Sequence, residues 1–316
     1  MDSITYLGHL MPSKVHLVEV APRDGLQNLK QRIPTEVKKE FINQLADAGL
    51  KEIEVTSFVH PKAIPQMEDA SEVARYAVEV GREKGFLPTA LVPNLRGAQS
   101  AWEAGLREVN YVISVSQTHN KENINRSHEE SVEELAKIRE AYPTLRINVA
   151  LATVFGCPFE AEVTPAQTLE LITKLMPDKI GVVTLSDTIG VAVPGQISDV
   201  IAQVREIHPE LPLGLHVHDT HGRGLLNVWT GLLLGVNRIE VATGGLGGCP
   251  FAPGAAGNLG TEDIISLLDR SGIESEVSLS KLLKVVEFAK DKIEPNLLSH
   301  LSQSRSYEEL SFFTIK

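Results

Sequence analysis

Residues 15–25, Val-His-Leu-Val-Glu-Val-Ala-Pro-Arg-Asp-Gly, combine an apolar, β-branched run with an arginine, an aspartate and a glycine close behind it. The run Val15–Val20 has the composition of a buried strand. Gly25 permits a sharp turn after the run. The stretch therefore predicts a strand that carries Arg23 and Asp24 at its carboxyl end, which is where an α/β barrel places its chemistry.

Runs of the same kind recur along the chain. We predict eight strands in all: Val15–Val20, Glu52–Thr56, Pro88–Val92, Glu108–Ser114, Arg146–Thr153, Lys179–Leu185, Leu213–His218 and Arg238–Ala242. The segments that follow them have helical patterns: Thr35–Ala48, Gln66–Lys84, Leu95–Trp102, Glu129–Ala141, Pro165–Leu175, Gly195–Ile207, Leu225–Leu234 and Thr261–Leu268. Eight such units are typical of an α/β fold of the (β/α)8 TIM barrel type, whereas a doubly wound sheet, the alternative, usually has fewer strands.

The length and composition favour one domain. The chain has 316 residues, 42% of them hydrophobic, and no Pro/Ser-rich linker or charge block divides it. We therefore predict a single catalytic domain over residues 1–316, with the barrel over about 14–270 and a C-terminal helical extension over about 278–316. The helix of this extension is predicted at Leu279–Asp291.

Charge and cysteine content exclude several classes of protein. A net charge of −11 argues against nucleic acid as a partner, because binding to phosphates needs a clustered basic surface. The sequence has no apolar run long enough to span a membrane. Two cysteines, Cys157 and Cys249, are too few for a disulfide framework and fit a reducing compartment. We expect a cytoplasmic protein that forms a homo-oligomer, either a dimer or a tetramer.

A second cluster, His216-Val217-His218, complements Asp24. Residues two apart on a strand project to the same face, so both imidazoles can point at one divalent metal ion that the Asp24 carboxylate also reaches. A His-x-His pair on a half-buried strand is alternatively ordinary packing. The glycine-rich loop Gly244–Asn258, which carries Cys249, favours the metal site, because such a loop brings backbone and a few side chains close to a ligand.

Five motifs together resemble the 3-hydroxy-3-methylglutaryl-CoA lyase family, whose barrel is related to the acetyl-CoA condensing enzymes. The motifs are Val18–Asn28, Ile53–Val59, Ser186–Gly190, His216–Thr220 and Gly244–Ala252. The resemblance implies a divalent-metal-dependent carbon–carbon lyase that cleaves a 3-hydroxy-3-methylglutaryl-CoA-type thioester to acetyl-CoA and acetoacetate, as in leucine degradation and ketone-body formation. It also implies Asn258 as a fourth ligand beside Asp24, His216 and His218.

The ligand types favour Mg²⁺ or Mn²⁺ over zinc. Two imidazoles, one carboxylate and one amide oxygen leave two positions of an octahedron for substrate oxygens. Zinc would instead favour a tetrahedral site and consume Cys249 as a ligand.

The resemblance suggests catalytic roles for three residues. Arg23 is predicted to stabilise the oxyanion of the thioester enolate. Cys249 is predicted to protonate the enolate carbon. Glu54 is expected inside the barrel, either turned toward Arg23 or as a structural carboxylate of the barrel floor.

Three weaker assignments follow. Gln27 is a candidate contact for the substrate carbonyl, and Asp187 resembles an aspartate that supports the metal histidines. Glu262 either supports the ligands or is a negative charge at a helix N-terminus. Cys157 is interpreted as a buried small side chain.

The chain also departs from the family's pattern. His221 stands where many members have Tyr, Arg223 lies two positions later, and the fifth strand reads Asn-Val-Ala-Leu-Ala at 148–152 in place of Arg-Gly-Tyr-Val-Ser. We predict that Arg223 and His221 bind substrate through a carboxylate or a CoA phosphate, the alternative for Arg223 being a solvated first-turn residue. Three other functions stay open at this point: a lyase for a different 3-hydroxy-acyl-CoA, a Claisen condensing enzyme using acetyl-CoA and a 2-oxo acid, and a non-catalytic metal-binding barrel.

Overall fold

Eight parallel strands close into a barrel in the computed structural model, which describes residues 3–6, 9–160, 162–176, 179–248 and 257–304. A short antiparallel hairpin precedes the barrel, formed by β1 (Ser3–Tyr6) and β2 (His9–Pro12). The barrel strands are β3 (His16–Glu19), β4 (Glu52–Ser57), β5 (Leu87–Val92), β6 (Glu108–Ser114), β7 (Arg146–Ala152), β8 (Val183–Asp187), β9 (Leu213–Val217) and β10 (Arg238–Val241). Each strand pairs with its neighbour along the chain, and β10 pairs with β3 to close the ring. The predicted (β/α)8 TIM barrel is confirmed.

The helices surround this barrel. They are α1 (Thr35–Ala48), α2 (Ala70–Lys84), α3 (Leu95–Glu103), α4 (Gln117–Ile124), α5 (His128–Ala141), α6 (Pro165–Leu175), α7 (Pro194–Ile207), α8 (Gly224–Leu233), α9 (Thr261–Arg270) and α10 (Leu279–Lys292). Helix α6 illustrates how capping residues in the sequence determine where a helix begins. The Thr164 side chain accepts a hydrogen bond from the Gln167 amide, and Pro165 occupies the first turn, where no amide donor is needed.

Three elements, β1, β2 and α4, were not predicted from the sequence, and one helix begins later than expected. The hairpin of β1 and β2 was missed, as was α4, whose sequence Gln-Thr-His-Asn-Lys-Glu-Asn-Ile has no apolar stripe. Local capping defines α4 instead: the Ser116 side chain accepts from the His119 amide, and Asn125 ends the helix with a positive φ of 54°. The helix predicted at Gln66–Lys84 divides into a short 3₁₀ turn, Pro65–Met67, and α2.

The C-terminal part of the described chain packs on both the outer helices and the top of the barrel. Helix α10 contacts α1, with the rings of Phe41 and Phe288 stacked at a centroid distance of 6.3 Å. Beyond α10 the chain returns to the carboxyl end of the barrel, where the amides of Leu298 and Ser299 donate to the carbonyl of Gly244. The segment therefore contacts the start of the glycine-rich loop.

None of the helices in the described ranges has the length and apolar character needed to cross a bilayer.

Candidate metal centre and active site

A wide turn after β3 places Arg23 and Asp24 at the mouth of the barrel. Residues Ala21–Gly25 form a single π-helical turn, in which the carbonyl of Val20 accepts from the amides of both Asp24 and Gly25. Gly25 is required by close packing, because a Cβ atom at this position would lie 2.9 Å from Cβ of Leu246. The turn predicted from Gly25 thus exists, and it brings the start of the glycine-rich loop against Asp24.

Asp24, His216 and His218 form a cluster with the geometry of a metal site. One potential ligand atom from each residue lies within 4.8 Å of the other two. The Nε2 atoms of the two imidazoles face each other at 3.3 Å. Both rings are buried, and within the described residues Nδ1 of His218 has no hydrogen-bond partner. Two ring nitrogens and a carboxylate that converge on one point are the donor set of a divalent metal ion, so these residues fit such an ion.

The protonation states also suit a metal site. Burial would raise the pKa of Asp24, but Arg23 and the two histidines lower it to about 2. Burial and the neighbouring His216 lower the pKa of His218 to about 4. At neutral pH the cluster therefore offers an ionised carboxylate and at least one neutral imidazole, which are the forms that bind metals.

Glu240 orients His216, and the sequence analysis missed it. Its Oε2 atom lies 2.9 Å from Nδ1 of His216, and its Oε1 atom accepts from the Thr184 hydroxyl at 2.8 Å. Glu240 and His216 are paired in register on adjacent strands, so both side chains face the barrel interior. Burial opposes the charge of Glu240, yet its contacts with His216 lower the pKa of this carboxyl. The sequence signal that could have found it is alternation along the strand, since Glu240 lies two residues after Arg238 and alternates with the buried apolar residues Ile239 and Val241.

Asp187 does not occupy the place predicted for it beside the histidines. In the ladder of β8 and β9 it pairs with Val217, and Ser186 pairs with His216. Both carboxylate oxygens of Asp187 accept from backbone amides, those of Val191 and Ala192, at 3.0 Å each. In this ladder Asp187 is one residue out of phase with the histidines. Its hydrogen bonds hold the loop after β8, and the carboxylate that contacts His216 is that of Glu240.

Arg23 is held between two carboxylates. Its Nε donates to Glu54 and its Nη1 donates to Asp24, while Nδ2 of Asn110 donates to the other Glu54 oxygen at 2.6 Å. Arg23 is 8% exposed and Glu54 is 1% exposed. Burial disfavours the cation, but Glu54 and Asp24 raise the pKa of Arg23 above its usual value. Burial raises the pKa of Glu54, and Arg23 opposes that rise. Glu54 lies inside the barrel, turned toward Arg23, as one of the two sequence-based alternatives had it.

Asn258 and Gln27 complete the surroundings of Asp24. The Asn258 amide nitrogen donates to Oδ2 of Asp24 at 2.8 Å, and that of Gln27 donates to Oδ1 at 2.8 Å. Gly247 permits the approach of Asn258, because a Cβ atom there would lie 2.6 Å from its Nδ2. Both residues predicted to act here are thus in contact with the metal cluster. Coordination by the Asn258 oxygen stays a prediction.

A cavity of about 590 Å³ opens from this cluster along the carboxyl ends of the strands. Its volume is within the range of sites for small molecules and cofactors. Its lining extends from the cluster to α4; it includes Arg23, Asp24, Gln27, Leu91, Val112, His119, Arg126, Ala150, Ala152, Ser186, His216, His218 and Glu240. The space is suited to a ligand much larger than a metal ion.

Arg223 and His221 are placed differently from what their predicted role requires. Arg223 donates to the carbonyls of Ala192 and Val191 at 3.1 Å each, and its Nη2 lies 2.9 Å from Nδ1 of His221. Neither Arg223 nor His221 is among the described residues that line the cavity. The geometry favours a role in holding the loop after β8 over the predicted contact with substrate.

Glu262 contacts the base of the glycine-rich loop. One carboxylate oxygen accepts from the Gly244 amide at 3.0 Å, and the other accepts from the Ser299 hydroxyl. Burial raises the pKa of Glu262 to about 7. The residue therefore links α9, the loop and the C-terminal segment, and among the described residues its hydrogen bonds go to neither metal histidine.

Cys249 lies outside the described residues, and its predicted role as an acid stays a prediction. Cys157 is buried, as expected.

The chain is similar in sequence to one family over most of its length. A model of the HMGL-like family matches residues 14–289. The chain is 43% identical to a hydroxymethylglutaryl-CoA lyase of Bacillus subtilis over 284 residues, which covers 89% of this chain and 94% of the relative.

Solved structures agree in fold and extent. A Bacillus subtilis HMG-CoA lyase superposes with a TM-score of 0.89 at 43% identity, covering 93% of this chain and 98% of the other. An HMG-CoA lyase from Acinetobacter baumannii, solved in complex with coenzyme A and 3-methylmalate, superposes with a TM-score of 0.88 at 37% identity, covering 96% and 98% of the two chains.

Proposed function

The chain belongs to the HMGL-like family, and from this we propose that it is a lyase that cleaves 3-hydroxy-3-methylglutaryl-CoA to acetyl-CoA and acetoacetate. The observation that supports this most strongly is the cluster of Asp24, His216 and His218 beside a buried arginine, at the mouth of a cavity large enough for an acyl thioester. A binding protein or scaffold has no need for this combination of charged groups.

We propose that Asp24, His216, His218 and Asn258 hold Mg²⁺ or Mn²⁺. When bound, the ion supplies a Lewis acid that makes the C3 hydroxyl of the substrate more acidic. Glu240 keeps the His216 ring in the tautomer whose Nε2 faces the cluster. Arg23 keeps Asp24 ionised, so the carboxylate is ready as a ligand over the whole physiological pH range.

Arg23 has a second role in this proposal. Transfer of the hydroxyl proton to a general base and cleavage of the C2–C3 bond, whose electron pair passes to C2, give acetoacetate and the enolate of acetyl-CoA, whose negative charge lies on the thioester oxygen. Arg23 lines the cavity and is held rigidly by Glu54, so its guanidinium is preorganised to stabilise that oxygen. Gln27, which also faces the cavity, is proposed to contact the substrate carbonyl.

Cys249 is proposed to end the reaction. Transfer of the thiol proton to the terminal carbon of the enolate gives the methyl group of acetyl-CoA and balances the proton lost from the hydroxyl. An ordinary thiol, with a pKa of about 8.5, is mostly protonated at neutral pH and can donate a proton. The support for this role is the resemblance of Gly244–Ala252 to the family's motif.

A direct assay tests the proposed function. The purified protein is incubated with 3-hydroxy-3-methylglutaryl-CoA and Mn²⁺ or Mg²⁺, and the products are identified by mass. We expect equimolar acetyl-CoA and acetoacetate, loss of turnover in excess chelator, and recovery when the metal is restored. Absence of both products, or full activity in excess chelator, would contradict the proposal.

The expected cytoplasmic location and homo-oligomeric state stay predictions. Light scattering on the purified protein, coupled to gel filtration, distinguishes a monomer from the expected dimer or tetramer.

A further inference from the structure

The inner face of β7 carries unusually small side chains. Ala150 and Ala152 are two residues apart and line the cavity, while Val149 and Leu151, on either side of Ala150, are fully buried on the outer face. Strands of this type of barrel normally fill the interior with bulky branched side chains. Because alanine ends at Cβ, the space at these two levels of the barrel is left open.

Neighbouring strands extend this open face into an apolar wall. Val112 pairs with Ala150 across the ladder of β6 and β7, and Leu91 lies on the next strand, β5. All of these side chains line the same cavity as Arg23 and the metal cluster. We call Leu91, Val112, Ala150 and Ala152 the alanine wall.

The floor below the alanine wall is closed by amide side chains. Asn148 donates to Glu108 at 2.7 Å and to the side-chain oxygen of Asn110 at 3.3 Å, and Asn110 donates to Glu54 at 2.6 Å. These polar groups are therefore bonded to each other. The wall above them carries no charged side chain, so it offers a contact surface for hydrocarbon.

The chemistry of the substrate indicates what occupies this surface. The reacting carbon, C3, carries a hydroxyl, a carboxymethyl group, the CoA thioester arm and one alkyl group. The first three are polar and suit the charged cluster and the open mouth of the cavity. Only the alkyl group gains from apolar contact.

We propose that the alanine wall is the subsite for the C3 alkyl group and that it accepts chains longer than methyl, so that the substrates include 3-hydroxy-3-alkylglutaryl-CoA thioesters with a linear substituent of three or four carbons. This inference rests on the proposed function for the reaction itself. The bond that breaks and the products' common fragment, acetyl-CoA, are the same for every member of the series.

The test compares thioesters that differ only in the alkyl group. With Mn²⁺ present, the kcat/KM of the wild-type protein for the C3-propyl compound is expected within about 10-fold of that for the methyl compound. In Ala150→Leu the added side chain fills the wall, so the ratio of propyl to methyl kcat/KM should fall by about 10-fold or more, the scale of discrimination by apolar volume. Ala136→Leu is the matched control: Ala136 is exposed on α5, and this change should leave the ratio unaltered.

Calorimetric binding of the same thioesters separates the two proposals. One outcome is that the methyl compound is not cleaved, which contradicts the proposed function. If Ala150→Leu still weakens binding of the propyl compound about 10-fold more than binding of the methyl compound, the subsite inference stands all the same. If the methyl compound is cleaved but the propyl compound is disfavoured more than about 100-fold in the wild-type protein, the subsite inference is wrong. An equal effect of Ala150→Leu on both compounds also overturns it, because the wall then contacts a part that they share.

Discussion

The Oε2 atom of Glu240 lies 2.9 Å from Nδ1 of His216, and this contact determines which ring nitrogen faces the metal cluster. An imidazole that donates its Nδ1 proton to a carboxylate presents the lone pair of Nε2. In this protein that lone pair points toward His218, whose own Nε2 lies 3.3 Å away. Glu240 thus acts on the candidate metal site through His216, as a positioning residue.

Replacement of Glu240 by Gln should weaken metal binding. The amide is nearly isosteric but can no longer stabilise the tautomer by charge, so the dissociation constant for Mn²⁺ should rise about 10- to 100-fold. Titration calorimetry measures this directly. Glu206→Gln, at an exposed position of α7, is the control for loss of one carboxylate. An unchanged affinity in Glu240→Gln would show that the His216 ring is oriented without it.

Replacement of Arg23 by Met should lower kcat about 10²-fold or more, which is the scale for loss of one oxyanion donor. The dissociation constant for Mn²⁺ should change less than about 10-fold. Because Arg23→Met also leaves Glu54 buried without its cation, the double variant Arg23→Met/Glu54→Gln controls for instability. Equal losses of turnover and metal affinity, in both variants, would mean that Arg23 serves only the structure.

Replacement of Cys249 by Ser should separate proton donation from metal binding. A hydroxyl is a far weaker acid than a thiol, so kcat should fall about 10²- to 10⁴-fold, the range for loss of a general acid. The affinity for Mn²⁺ should stay the same. Cys157→Ser is the matched control, since that cysteine is buried away from the cavity lining. A Cys249→Ser enzyme with normal turnover would exclude the thiol as the acid.

Replacement of Arg223 by Gln tests which of its two interpretations is correct. Its hydrogen bonds to Val191 and Ala192 favour a structural role, so the free energy of unfolding should fall by about 1–3 kcal/mol while KM for the acyl-CoA changes less than about twofold. Urea denaturation and steady-state kinetics measure the two quantities. A rise in KM that exceeds the fall in kcat would instead support the role in substrate binding that the sequence suggested.

Replacement of Glu262 by Gln should change how stability depends on pH. The raised pKa, about 7, means that between about pH 4.5 and 7 the folded protein keeps a proton that the unfolded chain has released. The free energy of unfolding therefore falls as the pH rises through this window, by on the order of 3 kcal/mol from this group.

The Gln variant lacks this contribution. The difference in unfolding free energy between variant and wild type should accordingly move in favour of the variant between pH 5 and pH 8, as measured by urea denaturation. Glu83→Gln, at an exposed position, should show no such trend. Parallel pH profiles for wild type and Glu262→Gln would contradict a raised pKa at this site.

The barrel could be predicted because its strands are buried on both faces. Each strand carries apolar, β-branched residues, and all eight strands were recognised, with α1 and α6 assigned to the residue. The hairpin at Ser3–Tyr6 and His9–Pro12 and the polar helix α4 depend on tertiary contacts and on capping by single residues. No periodic pattern marks them.

For the site, the sequence indicated which residue types take part. It did not indicate which of them point into the barrel at the same level. Asp24, His216 and His218 were found because histidines two apart on one strand must share a face. To identify the carboxylate that contacts His216, one needs to know which residues of β8 and β10 point into the barrel. Asp187 and Glu240 are both carboxylates near strand ends, and the register of the ladders shows that Glu240 is level with His216 whereas Asp187 is level with Val217.

The contact of Leu298 and Ser299 with Gly244 joins points more than fifty residues apart at the edge of the active site. The segment from Gly244 to Gly248 leads directly to Cys249, and its first residue is bonded to Glu262 and to this late part of the chain. During synthesis the barrel strands leave the ribosome well before Ser299 does. A nascent chain has therefore synthesised all eight barrel strands before the residues that hold Gly244 from the C-terminal side are available, so the base of the glycine-rich loop can be completed only late in synthesis.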